Sequence, residues 1–361
     1  MADGDAVSGP VQAEVPPAPL SPGRLLWRRF RRQRLGFASL LVFLALYVLS
    51  LGAEFIANDR PLLVRYEGAW FVPILHDYPE TAFGGGLPLH ADYQDPVLRA
   101  RLEAPGNLVI NPPLRFSYDT LNYYGGATHY PGPPDRENWL GTDIAGYDVL
   151  AKLIYGFRVS VTFALLLTAT GILLGTLVGA IQGYLAGKVD LVGQRLVEVW
   201  GAMPELYLLI IFATVFEHSY ALVFIVLTAF GWITLSDYVR AEVLRNRTLD
   251  YVKSARAMGL TGTQIVLRHL LPNSLTPIIT FLPFRMSAAI VALASLDFLG
   301  LGVTAPSPSL GHLLLQGKEN LDSWWISVSA FGALVVTMLL LTFIGDALRT
   351  ALDARHKAAP A

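Results

Sequence analysis

Apolar residues in this chain come as long unbroken runs, not at the spacing of one helix face or one strand face. Runs near residues 35–56, 159–186, 199–216, 220–236, 275–303 and 325–344 are each close to the roughly 20 residues that carry a helix across about 30 Å of hydrocarbon. They predict six transmembrane helices, the fourth the shortest, in an all-α polytopic membrane protein. A cleaved signal peptide is the rival reading of the first run, because Ser50 and Gly52 form a small-x-small pair. Against it, the run exceeds the roughly 7–15 residues of such apolar cores.

The polar stretches divide the chain further. Residues 1–23, rich in Pro, Ala and Gly without apolar periodicity, read as a disordered tail. Residues 24–56 form a basic anchor and the first span. Residues 57–148, dominated by Pro, Gly, Asp, Tyr and Asn, read as a soluble insertion between the first and second spans. Residues 149–346 hold the other five spans and include a polar loop at 237–274, and 347–361 form a second tail.

Composition agrees. Of 361 residues, 53% are hydrophobic and 15% charged, against roughly 45–50% and 25% in soluble domains. The formal net charge of −1 carries no basic footprint for nucleic acid. The absence of cysteine excludes disulfides, thiolate metal sites and a cysteine nucleophile.

Charge position sets orientation, since cytoplasmic loops carry the excess of Lys and Arg. Arg24, Arg28, Arg29, Arg31, Arg32 and Arg34 place the N-terminus inside. Alternation then puts three further basic segments inside: Lys188 with Arg195; Arg240, Arg245, Arg247, Lys253, Arg256 and Arg268; and Arg349, Arg355 and Lys357. Both tails are thus expected to be cytoplasmic and the insertion outside. Its six arginines do not count against this, because segments beyond about 60 residues escape the rule. Trp324 and Trp325 suit an outer interface.

The loop between the fourth and fifth spans is the most informative segment. Asp250, Tyr251, Lys253, Ser254, Ala255, Ala257 and Gly259 open it, and His269, Leu271, Pro272 and Asn273 close it. Asp250 is expected to cap a short helix of low relief, which Gly259 closes in the left-handed conformation. A second helix, near 264–270, should end before Pro272. The product is a compact helix-turn-helix shaped for a partner's groove.

This segment resembles the EAA loop of ABC-importer permeases: Ser254 and Ala255 at the two alanines, Gly259 at the glycine, and Leu271-Pro272 at the closing Leu-Pro. His269 is similar to the His-x-Leu-Pro variant of the peptide branch, and Lys253 replaces the family's Glu. Before the second span, Gly141, Thr142, Asp143, Gly146 and Asp148 resemble the Gly-Thr-Asp-x-x-Gly-Arg-Asp signature of the second permease subunit of dipeptide and oligopeptide importers, with Tyr147 in place of the Arg. By residue chemistry alone, Asp143 and Asp148 flank an amphipathic stretch suited to the outer interface. Gly187 to Asp190 with Arg195, Met203-Pro204, and Leu299 to Gly302 resemble the family too. Phe55 to Val64, Tyr78 to Gly85, and Ser295 to Lys318 resemble the Yej-type permeases of microcin C and oligopeptide import.

The resemblance, covering about residues 24–355, implies a type I ABC-importer permease fold in the bacterial inner membrane. It further implies a sister permease, one or more separate ATPase subunits and a periplasmic peptide-binding protein. The 250–273 element would then seat in the ATPase, and the insertion with the outer loop near 306–317 would meet the binding protein. No cofactor is expected on this chain; ATP and Mg belong to the ATPase. Gly183, Gly187, Lys188 and Val189 lack the spacing and hydroxyl of a phosphate-binding loop.

Gly171, Gly175, Gly179 and Gly183 recur every four residues, a stripe that lets another helix approach closely. Generic packing and a specific subunit seam are both open. Asp297, Glu205 and Arg285 are ionisable groups near membrane depth, where pathway and structural roles compete. His76, Asp77, Glu80, His90 and Asp92 lack tight metal-ligand spacing. The alternative function is a membrane-anchored receptor or scaffold whose insertion binds ligand without transport. A secondary transporter would show repeat symmetry between its halves, and none is visible.

Overall fold

The computed structural model describes residues 22–86, 88–124, 129–274 and 276–356. The expected disordered tail lies outside them up to residue 21, as do 357–361. The chain begins with α1 (Pro22–Arg32), breaks at Gln33, and enters the apolar α2 (Arg34–Leu51), followed by the short α3 (Ala53–Ile56). α1 is amphipathic: Phe30 is buried, and its ring meets those of Trp27 and Phe37.

The insertion is not helical throughout. It carries β1 (Leu63–Tyr66), β2 (Ala69–Phe71), α4 (Pro96–Leu102) and β3 (Leu108–Ile110). The sheet is antiparallel in the order β2-β1-β3, with Val64 paired to both Phe71 and Val109. A two-residue turn at Glu67-Gly68, both at positive φ, suits the twist of a tight hairpin. Val64, Phe83, Leu98 and Leu102 form a core of their own, and the Phe83 ring packs edge-on against Tyr66, Phe71, Tyr78 and Tyr93. The lobe's two ends adjoin: Ala57 bridges Leu114, and the Asn58 amide donates to the Leu114 carbonyl.

The membrane portion comprises α5 (Val149–Leu185), α6 (Gly187–Gly201), α7 (Glu205–Val215), α8 (Tyr220–Gly231) and α9 (Ile233–Asn246). After these come α10 (Asp250–Ala257), α11 (Gly262–Ile265), a π-helical turn Val266–Leu270, α12 (Leu271–Ser274), α13 (Thr276–Phe298), α14 (Leu310–Glu319) and α15 (Trp324–His356). Among the described residues, five helical segments are long and apolar enough to cross a membrane: Arg34–Leu51, Val149–Leu185, Tyr220–Asn246, Ile278–Phe298 and Trp324–Leu352. A sixth arises if α6 and α7, bent by 61°, count as one.

The differences from expectation have local causes. The run at 199–216 breaks before Glu205 because Pro204 lacks an amide hydrogen and forces its predecessor out of helical geometry. α5 starts ten residues before the apolar run, since the Asp148 carboxylate accepts the Ala151 amide at 2.7 Å and caps it. α8 and α9 run on through Trp232 into the expected cytoplasmic loop. α13 stops at Phe298, where Gly300 sits at φ +73°. α15 continues through most of the expected C-terminal tail, to His356.

The main core gathers α5, α8, α13, α14 and α15 with Phe30 of α1 and Phe43 of α2. A second, smaller core joins α5 and α9 to α10, Ile265, Leu270 and Ile278. The glycine stripe of α5 lies along α9 of the same chain. A Cβ at Gly175 would fall 2.8 Å from the Trp232 carbonyl, one at Gly179 2.9 Å from Val239 Cβ, and one at Gly183 2.8 Å from the Arg240 carbonyl. Gly171 faces Arg285 and Gly231. We expect Gly179→Ala to cost about 1–3 kcal/mol by forcing the two helices apart, lowering the thermal midpoint in detergent. Gly332→Ala, where a Cβ meets open space, should leave that midpoint unchanged; equal midpoints for the two variants would refute the seam.

Candidate functional site

The 250–273 element is built from α10, α11, the π turn and α12. Leu249, not Asp250, is the N-cap of α10, and no side chain caps that end. The Asp250 carboxylate lies instead 3.0 Å from Lys253 Nζ in an exposed pair, a type of contact worth little. The reason is backbone position: Asp250 already belongs to the first helical turn. At the other end Gly259 has φ +81°, its amide donates to the Arg256 carbonyl, and the Leu260 amide donates to Ala255. That is the paired closure in which a glycine reverses the chain.

Thr261 then starts α11 with a reciprocal cap: its hydroxyl accepts the Gln264 amide while Gln264 Oε1 accepts the Thr261 amide at 2.9 Å. The Thr-x-x-Gln spacing carries this signal in sequence. The second helix does not end before Pro272. The Leu271 amide reaches back to the Val266 carbonyl, and this wider turn makes room for a proline ring inside a continuing helix.

α10 has two faces. Val252 and Ala255 are buried with Ala180 of α5, Val239 and Val243 of α9, Ile265 and Leu270. Tyr251, Ser254, Ala257 and Met258 face outward. Ala255 therefore docks the helix, while Ser254 and Ala257 keep its outer surface low. His269 and Leu271 are half-buried, and Pro272 is exposed. Two arginines absent from the sequence-derived site tie α9 and the residue that follows it to α6 and α5. Arg247 Nη1 donates to the Tyr184 carbonyl at 3.0 Å, and Arg240 makes a two-pronged pair with Asp190, one arm at 2.8 Å.

The signature before α5 is a buried anchor, not an amphipathic surface stretch. Asp143 and Asp148 are fully buried. Asp143 Oδ1 accepts the Ala145 and Tyr147 amides, each at 2.9 Å, while Oδ2 pairs with Lys152 Nζ at 2.6 Å and accepts from Gln316 Nε2 at 3.3 Å. The Tyr147 ring lies 4.1 Å from the Lys152 ammonium, a favourable cation–π distance. Asp148 also accepts from Asn138 Nδ2 at 2.8 Å. Burial pushes its carboxyl up, opposed by the hydrogen bonds from Asn138 and the helix amides. The Gly132 amide donates to the Thr142 hydroxyl, and Trp325 Nε1 donates to the Thr142 carbonyl at 3.2 Å. Gly141 sits at φ +73°, with the Gly132 carbonyl 2.6 Å from where a Cβ would stand; Gly146 sits at φ +90° against the Tyr130 ring. Lys152, Gln316 and Trp325 complete the anchor from α5, α14 and α15. Sequence spacing gave no sign of them.

Asp297 is also committed. Its carboxylate accepts from the Ser309 hydroxyl and from the Val303 amide at 3.2 Å, and Ser309 in turn caps α14 through the His312 amide. The geometry makes it a clasp for the 299–309 loop. Glu205 begins α7 directly after Pro204. In the insertion, Asp77 pairs with Arg60, and Asp92 accepts from Gln94 and Tyr124. Among the described residues, no three His, Cys, Asp or Glu side chains gather as a metal site.

Residues 147–358 match the family described as "Binding-protein-dependent transport system inner membrane component", spanning all the helices just described from α5 onward. The chain belongs to this permease family. Residues 21–67 further match the "N-terminal TM domain of oligopeptide transport permease C". Relatives of this permease include the "Inner membrane ABC transporter permease protein YejE" of Escherichia coli (strain K12), 50% identical over 91% of this chain and 95% of the relative. The "Peptidoglycan transport system permease protein YejE" of Agrobacterium fabrum is 42% identical over 91% and 92%. The "Oligopeptide transport system permease protein OppC" of Haemophilus influenzae is 32% identical over 61% and 71%. An inward-facing structure of the MetNI methionine ABC transporter superposes with a TM-score of 0.47 at 19% identity, covering 55% of this chain and 96% of that one. The permease is thus a helical, multi-pass transport component of the inner membrane and not an ATPase.

Removing one partner of a buried ion pair costs about 3–5 kcal/mol, because the other charge stays buried and unpaired. Lys152→Met should therefore lower the permease's thermal midpoint sharply, and Lys152→Met with Asp143→Asn should recover most of the loss. Equal midpoints for the single and double variants would show that the pair is not coupled.

Proposed function

We propose that this permease forms one half of the path by which an ATP-driven importer brings short peptides or peptide-like compounds, microcin C among them, into the cell. A sister permease completes the path, a separate ATPase binding ATP and Mg seats on α10 to α12, and a periplasmic binding protein delivers the cargo. The observation that carries this reading is the two-faced α10: its inner face is locked to α5 and α9, and its outer face is low, exposed and unclaimed by the chain itself. A rigid, shallow projection is what a nucleotide-driven partner needs in order to move membrane helices as bodies. The names of the relatives, which include oligopeptide and peptidoglycan transport, support peptide-like cargo.

The same reading takes α6 and α7 together as a sixth span in a type I arrangement, with both termini cytoplasmic and the 57–148 lobe periplasmic. The arginines of α1 and the basic residues of α9 and α10 support that orientation through the positive-inside rule.

Two measurements test it. Ala257→Arg adds a bulky charge to the outer face of α10 without touching its core. Purified from native membranes in mild detergent, the variant should keep the sister permease and lose at least about tenfold of the co-purifying vanadate-sensitive ATPase activity. Wild type arriving alone would favour a receptor that binds ligand without transport. Replacing residues 59–113 by a short linker between the adjoining ends at Ala57 and Leu114 should leave the helices assembled and impair uptake. Unaltered uptake would remove the lobe from the mechanism.

A further inference from the structure

Arg285 lies mid-way along α13, a helix whose other ionisable residue, Asp297, is committed to Ser309 and Val303. Its Nη2 donates to the Gly231 carbonyl at the junction of α8 and α9, while its buried Nε has no acceptor among the described residues. No acidic side chain pairs with it among the described residues. A cation in a membrane span must meet water, a partner or a ligand.

The surroundings favour a ligand. Arg285 lines a cavity of about 150 Å³ together with Thr234, Tyr238, Glu242, Ser274 and Phe281. Glu242 is taken by Arg245 at 2.8 Å and by Asn246, and Ser274 by Asn246. Tyr238 and Phe281 pack with their rings tilted by 31° and 5.5 Å between centroids, and remain 56% and 42% exposed, forming one open wall. Leu235 and Ile278 complete an amphipathic lining in which Arg285 is the cation. Buried hydroxyls without partners at Thr228, Ser236 and Ser287 mark the same three helices as polar inside.

The chemistry of a guanidinium with Nη2 on a carbonyl and Nε without an acceptor narrows the class. A guanidinium presents a planar fork matched to a carboxylate, and the aromatic pair offers an apolar wall beside it. The volume is below the roughly 300–1,000 Å³ of sites that enclose a whole small ligand, so it suits one end of a larger molecule. We propose that Arg285, with Tyr238 and Phe281, forms a subsite on the translocation path that takes the C-terminal carboxylate of a passing peptide. This rests on the peptide-importer reading above.

The test uses the complete importer, with sister permease, ATPase and binding protein, reconstituted in proteoliposomes. The probes are trialanine and trialanine amide, each supplied at a concentration shown by the binding protein's fluorescence to saturate it. Wild type should move the acid at least about tenfold faster than the amide. Arg285→Gln should bring the acid down to the amide rate and leave the amide rate unchanged, and Arg285→Lys should keep part of the preference. If Arg285→Gln fails to assemble, the acid-to-amide ratio of Arg285→Lys decides: a ratio several-fold below wild type supports the subsite, and an unchanged ratio overturns it. Equal slowing of both probes by Arg285→Gln, or no change in either, would mean packing or a contact with the sister subunit and overturns the proposal. Absence of ATP-driven uptake of both probes by wild type overturns the importer reading and the subsite with it.

Discussion

The close approach of α5 to α9 is the constraint on which the other features depend. At about 1.5 Å per residue, the 37 residues of α5 make a rod of about 55 Å, well beyond the roughly 30 Å of a bilayer's hydrocarbon. Its first turn holds Lys152 and is capped by Asp148; its last turn offers the Tyr184 carbonyl to Arg247. Between them, glycines remove the side chains that would hold α9 away. The buried anchor at the head of α5 and the α10–α12 element are therefore two ends of one packed unit.

The two ends are secured by different physics. The first is a buried ion pair whose charges are satisfied by backbone amides, an aromatic face and a glutamine from α14, so it is specific and costly to disturb. The second is a small apolar core with half-exposed arginine ties, in which α10 contributes only Val252 and Ala255. An element held by a few buried side chains can transmit motion while presenting most of its surface to another protein. Asp297 fills a comparable role for the loop leading to α14, using one carboxylate to hold both a backbone amide and a helix-capping serine.

How much was legible in the sequence depended on the range of the interaction. The apolar runs located the membrane helices, and the four-residue glycine period gave a close-packing face, because both are properties of one helix. Gly259's left-handed closure followed from local geometry too. The identity of the stripe's partner and the placing of Gln316 and Trp325 against Asp143 and Thr142 depend on contacts across many tens of residues, and Lys152, only nine residues on, carries no motif that pairs it with Asp143. The strands of the lobe, three or four residues each, are too short for alternation to register. Proline was ambiguous for a physical reason: Pro204 breaks a helix, whereas Pro272 is absorbed by the wide turn before it. Arg240 and Arg247, counted as topology signals, are also struts.

The adjoining ends of the lobe join it to the helices at a single corner. The lobe has its own aromatic core and joins the helices where Ala57 meets Leu114, and at that point the Tyr155 hydroxyl of α5 donates to the Ala57 carbonyl at 2.9 Å. Entry and exit of the lobe thus share one corner with the head of α5, so the helical part of the chain is closed without the lobe between them.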